Sequence, residues 1–173
     1  MLIAVNQKVE QLKTYKVQKG ESSVSGLSSG AFMTVQLHLA HSAAFTGAGI
    51  IAGGPFRCAE SFRAAATIAQ DAYIEGALYI CMNPLVPQTG PNANKLAQLA
   101  RDTAQAKLID PVANLSGHRL YIFTGSQDEV VYSDVVERTR EFYELLGVKP
   151  ANILYDDTVP AGHSIITDNP EHS

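Results

Sequence analysis

The sequence predicts an α/β protein, a mostly parallel sheet with helices on its faces. Three observations predict it. Segments of strand and helix pattern alternate along the chain: strand, helix, strand, an irregular helical stretch, strand, helix, strand. The run from Phe45 to Ala52 is small and apolar without polar alternation and is closed by Gly53-Gly54-Pro55, as a buried parallel strand reads. Between a β-prone run and a helical pattern sits Gly26-Leu27-Ser28-Ser29-Gly30, a G-x-S-x-G pentapeptide. Such a pentapeptide marks a strained strand-to-helix turn that presents a serine hydroxyl.

Taken in order, residues 1–18 are mixed. Leu12 to Val17 alternates loosely and reads as an edge strand, given Lys13 and Lys16, or with the rest of 1–18 as the remnant of a leader. Gly20-Glu21-Ser22 is a turn, and Ser23 to Leu27 is the strand entering the pentapeptide. Ser29 to about Ala43 is helical. Phe32, Val35, Gln36 and Leu39 form one stripe with Met33, Leu37 and Ala40 beside it, which predicts a mostly buried helix. Ser61 to Ala69 and Ala72 to Ile80 are short helices in the least legible part of the chain, and Pro84, Pro87, Gly90 and Pro91 mark a loop. Asn92 to Lys107 is an amphipathic helix with Leu96, Leu99, Ala100 and Ala104 inward. His118 to Thr124 is the clearest strand, and Gly125-Ser126-Gln127-Asp128 is its C-terminal loop. Ser133 is read as the cap of a helix to about Leu146. Val136, Thr139, Phe142, Tyr143 and Leu146 are its apolar stripe and Gly147 its stop. Asn152 to Tyr155 is the last strand, followed by a loop that holds Ala161-Gly162-His163. Without repeats or an internal linker, 1–173 reads as one domain.

The chain has 173 residues, 46% hydrophobic and 17% charged, enough for a sizeable core. A net charge of -4 gives no electrostatic footprint for nucleic acid or an anionic membrane surface. No apolar run is long enough to span a bilayer. Met1-Leu2-Ile3-Ala4-Val5 is too short for a signal peptide and lacks a basic start, so the expectation is a cytoplasmic protein or one whose leader has been removed. Cys58 and Cys81 are either reduced core thiols or one disulfide, and nothing pairs them with nearby ligands at zinc-site spacing.

Three polar residues fall at the carboxyl ends of predicted strands, where ligands bind in parallel sheets. Ser28 follows 23–27, Asp128 follows 118–124 and His163 follows 152–155. Serine is a poor nucleophile at its own pKa, so a histidine must take its proton. An aspartate then fixes the imidazole tautomer and stabilises the imidazolium. Ser28, Asp128 and His163 are therefore the candidate catalytic residues, in the chain order of α/β-hydrolases. The backbone N–H of Ser29, at a helix N-terminus, is the candidate oxyanion donor. Gly26 and Gly30 let strand and helix cross closely. Asp156 and Asp157 rival Asp128, which is preferred because it follows the longest strand. His118 precedes its strand, His38 and His41 lie along the first helix, and His172 is in the tail. Phe32, Phe56 and Tyr132 are candidates for lining an acyl pocket.

These residues look like a known family. Ser23 to Met33, Phe45 to Pro55 with Cys58-Ala59, Asn114-Leu115 through Tyr121 to Asp128, and Gly162-His163 through Thr167-Asp168 resemble the secreted poly(3-hydroxybutyrate) depolymerases and related esterases. The resemblance runs over roughly residues 19–170. It implies a circularly permuted α/β-hydrolase domain, ester hydrolysis of short-chain hydroxyalkanoate polyesters through an acyl-enzyme, and an extracellular or periplasmic location. It implies Ser28 as nucleophile, Asp128 as acid, His163 as base and a Cys58–Cys81 disulfide. The serine mechanism needs no metal or cofactor. In the permuted type the strands that usually precede the elbow follow the histidine, so the resemblance implies a partial sheet here. A second oxyanion donor and much of the polymer-binding surface would then lie outside this sequence, and the chain has no tryptophan. One missing oxyanion donor costs roughly 10²–10³ in kcat. The nucleophile strand would present an unpaired apolar edge, through which the chain self-associates or takes up a complementing chain. The competing expectations are a small-molecule carboxylesterase or feruloyl-type esterase on the same fold, and a catalytically incomplete fragment retained for binding.

Overall fold

In the computed structural model of the chain, residues 13–16, 18, 20–61 and 70–167 are described. Among the described residues, four strands and four α-helices follow the order β1 (Ser22–Leu27), α1 (Ser29–Ala40), β2 (Phe45–Ile51), α2 (Gln70–Tyr79), α3 (Ala93–Gln105), β3 (Arg119–Phe123), α4 (Ser133–Leu145) and β4 (Ile153–Asp156). The strands form one four-stranded sheet in the order β1-β2-β3-β4. All three pairings are parallel, as the alternation of elements predicts. The sequence-read helix over 61–69 lies outside the described residues except for Ser61. Residues 13–16, where an edge strand was expected, carry no regular secondary structure.

The register explains which side chains make the core. Val24, Ala48, Leu120 and Ile153 stand side by side across the sheet, as do Gly26, Ile50, Ile122 and Tyr155. On this face Ala48, Ile50, Leu120 and Ile122 pack with Ala31, Val35 and Leu39 of α1 and with Val135, Val136, Phe142 and Tyr143 of α4. Val35, Ile50, Ile122 and Phe142 are fully buried, and each such side chain stabilises the fold by roughly 1.5–3 kcal/mol. The alternate row, Ser25, Gly49, Tyr121 and Leu154, points the other way. There Ser25, Tyr121 and Leu154 are exposed. β2 is small for a steric reason as well as an apolar one. A Cβ on Gly47 would stand 2.2 Å from the Arg119 carbonyl oxygen of β3.

Several local expectations change. Met33 and Leu37 of α1 are 64% and 41% exposed, while Ala31, Thr34 and His38 are buried in their place. The buried face of α1 is therefore turned from the stripe read off the sequence. Ser133 is not the cap of α4. Tyr132 occupies that position without a side-chain bond, and Ser133 is the first helical residue. α3 has a true cap, since Asn92 Oδ1 accepts the Lys95 N–H at 2.9 Å. Gly147, at φ 97°, ends α4 as expected.

At the N-terminal end of the sheet, α1, α4 and the residue just before β3 share a polar contact inside the core. His38 lies 2.9 Å from the Tyr143 hydroxyl through Nδ1 and 2.9 Å from His118 Nδ1 through Nε2. His38 and Tyr143 are fully buried. Burial and, second, the neighbouring His118 push the His38 pKa down to about 4. His38 thus belongs to the packing, His41 is exposed, and His118 sits at the end of the sheet away from Ser28.

Candidate active site

The G-x-S-x-G turn folds as a strained junction between β1 and α1. The Ser28 N–H donates to the Ile51 carbonyl at 2.9 Å, continuing the sheet, and its own carbonyl accepts the Phe32 N–H at 3.0 Å, opening the helix. Serving both elements puts Ser28 at φ 56°, a region disfavoured for residues with a side chain. A Cβ on Gly26 would lie 2.4 Å from the Gly30 backbone, so strand and helix do cross there closely. Gly30 itself has open space around it, so the close approach constrains only Gly26. Ser29 opens the first turn of α1, where backbone N–H groups have no helical acceptor and the helix dipole favours negative charge. Among the described residues the Ser28 hydroxyl makes no side-chain cap bond, which leaves its oxygen uncommitted.

Asp128 and His163 meet at the carboxyl ends of β3 and β4. His163 Nδ1 donates to Asp128 Oδ2 at 2.8 Å. The Asp128 side chain is 1% exposed and the His163 side chain 19%. The other carboxylate oxygen, Oδ1, accepts the N–H groups of Val130 and Val131 at 2.9 Å each. One oxygen thus shapes its own loop and the other orients the imidazole. A carboxylate can only accept, so Nδ1 carries the proton and Nε2 is left as the free lone pair. The two loops are also joined through backbone. Ser126 N–H donates to the Val159 carbonyl at 2.9 Å and Gln127 N–H to the Ala161 carbonyl at 3.0 Å. A Cβ on Gly125 would collide with the Ala161 oxygen at 2.1 Å, so glycine is required where they cross. The rival Asp156 bonds the backbone N–H and hydroxyl of Thr158, and those bonds hold its pKa below the usual carboxylate range. No hydrogen bond joins Ser28 to His163 among the described residues, a contact that apo sites often leave open until substrate is bound.

Ser28 opens into a largely apolar cavity of about 460 Å³, within the size range of small-molecule sites. Of the three aromatic candidates, Phe32 lines this cavity and Phe56 and Tyr132 do not. Phe56 is 5% exposed and packs in the core, and Tyr132 lines a separate polar cleft with Asp128 and Asn83. The sequence did not single out Met33, Met82 and the Cys58–Cys81 pair as lining. Those cysteines form a disulfide across 23 residues of sequence. Their wall is tied to the acid loop by the Tyr132 N–H donated to the Met82 carbonyl at 2.9 Å. The signal available was position: Met33 lies one turn beyond the pentapeptide, on the side that helix periodicity assigned to the core.

No protein-family model matches the chain. It is 39% identical over 159 residues to a poly(3-hydroxybutyrate) depolymerase of Delftia acidovorans, covering 91% of this chain and 29% of that protein. It is 32% identical over 158 residues to a polyhydroxybutyrate depolymerase of Talaromyces funiculosus, covering 91% of this chain and 41% of the relative. The fold superimposes on the crystal structure of a PHB depolymerase from Penicillium funiculosum with a TM-score of 0.67 and 32% identity, over 84% of this chain and 40% of the other. A PHB depolymerase complexed with an R3HB trimer superimposes with a TM-score of 0.65 and 30% identity, over 82% and 39%. The chain spans less than half the length of each of these proteins.

Proposed function

We propose that this chain, homologous to a segment of the poly(3-hydroxybutyrate) depolymerases, carries the nucleophile, base and acid of a serine esterase that cleaves ester bonds of poly(3-hydroxybutyrate) and similar short-chain polyesters. The observation that carries the reading is the buried Asp128 carboxylate bonded to His163 Nδ1 at the end of the sheet where the strained elbow exposes Ser28. In the first half-reaction His163 Nε2 takes the Ser28 proton as Oγ attacks the ester carbonyl. The oxyanion of the tetrahedral intermediate is met by the Ser29 N–H. His163 then returns the proton to the departing oxygen, the ester C–O bond breaks, and the hydroxyl-bearing product leaves an acyl group on Oγ. Water, losing its proton to Nε2, attacks the acyl carbon. The acid is released and Ser28 regains its proton. Asp128 stabilises the imidazolium in both halves.

The R3HB trimer bound to a structural relative supports a hydroxybutyrate ester as substrate, and the apolar lining of the cavity suits its methyl-bearing chain. The Cys58–Cys81 disulfide supports an oxidising compartment, extracellular or periplasmic. Among the described residues β1 pairs on one side only, with β2, which supports self-association or a complementing strand along its free edge. A fluorophosphonate probe tests the chemistry. The expected result is a single adduct on Ser28 that is lost in His163→Ala. A folded chain that takes no label overturns the reading.

A further inference from the structure

The cavity beside Ser28 has two different ends. It runs along α1, whose residues Ser29, Phe32, Met33 and Gln36 line it in succession. From Ser28 to Gln36 is eight residues, about 12 Å along a helix axis. At the Gln36 level the side-chain Oε1 accepts the Arg57 N–H at 3.4 Å, which fixes Arg57 and Glu60 at the end remote from the hydroxyl. Arg57, held at φ 52°, donates from Nε to Glu60 Oε1 at 2.6 Å, from Nη2 to Glu60 Oε2, and from Nη1 to Thr103 at 3.2 Å. Both oxygens of Glu60 are thus engaged by one guanidinium, in the two-pronged geometry that neutralises arginine most completely. Between the two ends the walls are the Phe32 ring, two methionines and the disulfide.

A ligand that fills this slot needs an ester at the Ser28 end, an apolar stretch, and a polar terminus at the far end. An extended chain advances about 1.2 Å per bond, so a hydroxyacyl unit of four chain bonds spans about 5 Å and two units about 10 Å. The two termini of an oligoester differ in charge. A carboxylate would meet an arginine already compensated and a like-charged Glu60, and among the described lining residues there is no second cation. A hydroxyl both donates and accepts, and suits a neutral ion pair. We propose that the Arg57–Glu60 pair is a specificity determinant that admits the hydroxyl-terminated side of an oligoester and rejects a carboxylate-terminated one. The acyl portion of the scissile ester therefore lies along α1. This rests on the esterase reading for what occupies the slot, not on Ser28 being reactive.

The test measures binding to the Ser28→Ala chain, where no turnover intervenes. Ethyl 8-hydroxyoctanoate and monoethyl suberate match in reach and differ at the terminus. The hydroxyl probe is expected to bind at least tenfold tighter. Adding Glu60→Gln frees the Arg57 charge and should move the ratio at least tenfold toward the anion. Arg57→Met leaves Glu60 alone and should move it the opposite way, so either variant decides the matter if the other fails to fold. Equal binding of the two probes, no binding of either, or a ratio that both folded variants leave unmoved overturns the proposal. Failure of the esterase reading looks different: wild-type Ser28 unlabelled by fluorophosphonate while the probe ratio behaves as stated.

Discussion

His163 and His38 each make a short hydrogen bond to another ionisable side chain, and they have opposite characters. His163 gives Nδ1 to a carboxylate 2.8 Å away and keeps Nε2 free, with 19% of its side chain exposed. His38 has both nitrogens engaged at 2.9 Å, by Tyr143 and His118, and is fully buried. The partner's sign decides the outcome. An acceptor-only carboxylate holds the Nδ1 proton in place and leaves the Nε2 lone pair of His163 open. His38 faces a neutral phenol and a second imidazole, so charge there is opposed by burial and by repulsion. One end of the sheet leaves an imidazole nitrogen open and the other engages both.

Asp128→Asn gives the sharpest way to break this comparison. The amide can donate to Nδ1, which favours the wrong tautomer, and the ester hydrolysis rate should fall about 10⁴-fold. Steady-state kinetics beside a thermal melt checks it. A variant that melts far below wild type would assign Asp128 to the fold instead.

The next effect is on stability against pH. His38 has a folded pKa of about 4 against an ordinary 6.5. Between those values the unfolded chain binds more protons than the folded one, so stability falls as pH drops from about 6.5 towards 4 and is unaffected by this group above 6.5. The full loss is of order 3 kcal/mol. Denaturant titrations at pH 7 and pH 4.5 check it, with His38→Gln expected to flatten the difference. A wild-type curve without slope in that window would remove the contrast between the two histidines.

Tyr143→Phe carries the smallest effect. It removes the hydroxyl and leaves one His38 nitrogen unpaired in the core, costing about 1–3 kcal/mol. It should leave fluorophosphonate labelling of Ser28 unchanged, since the two ends of the sheet are chemically separate. Melting temperature and labelling rate, measured on one sample, test both halves of that expectation.

The grouping of Ser28, Asp128 and His163 at one end of the sheet was legible in the sequence, and the histidine contact at the other end was not. Ser28, Asp128 and His163 each follow a strand, and parallel sheets gather such positions on one edge whatever the helices do. The His38–His118 contact joins residues 80 apart, and no local pattern announces it. The facing of α1 was misread because the helix is apolar nearly all round. Met33 and Leu37 are as hydrophobic as Val35 and Leu39, so periodicity gave no phase. Phe56 and Tyr132 lie near the site in sequence, yet one fills the core and the other a polar cleft. The lining supplied by Met82 and the disulfide follows from a tertiary closure between distant segments.

The backbone bonds from Ser126 and Gln127 to Val159 and Ala161 bear on how the site comes apart. They make the acid loop and the histidine loop one opening unit, whose amides should lose exchange protection together. Breathing motions of the molecule then part Asp128 and His163 as a block or leave the pair whole. Variation in the surrounding side chains can accumulate without misaligning acid and base, because their mutual position is written in the main chain.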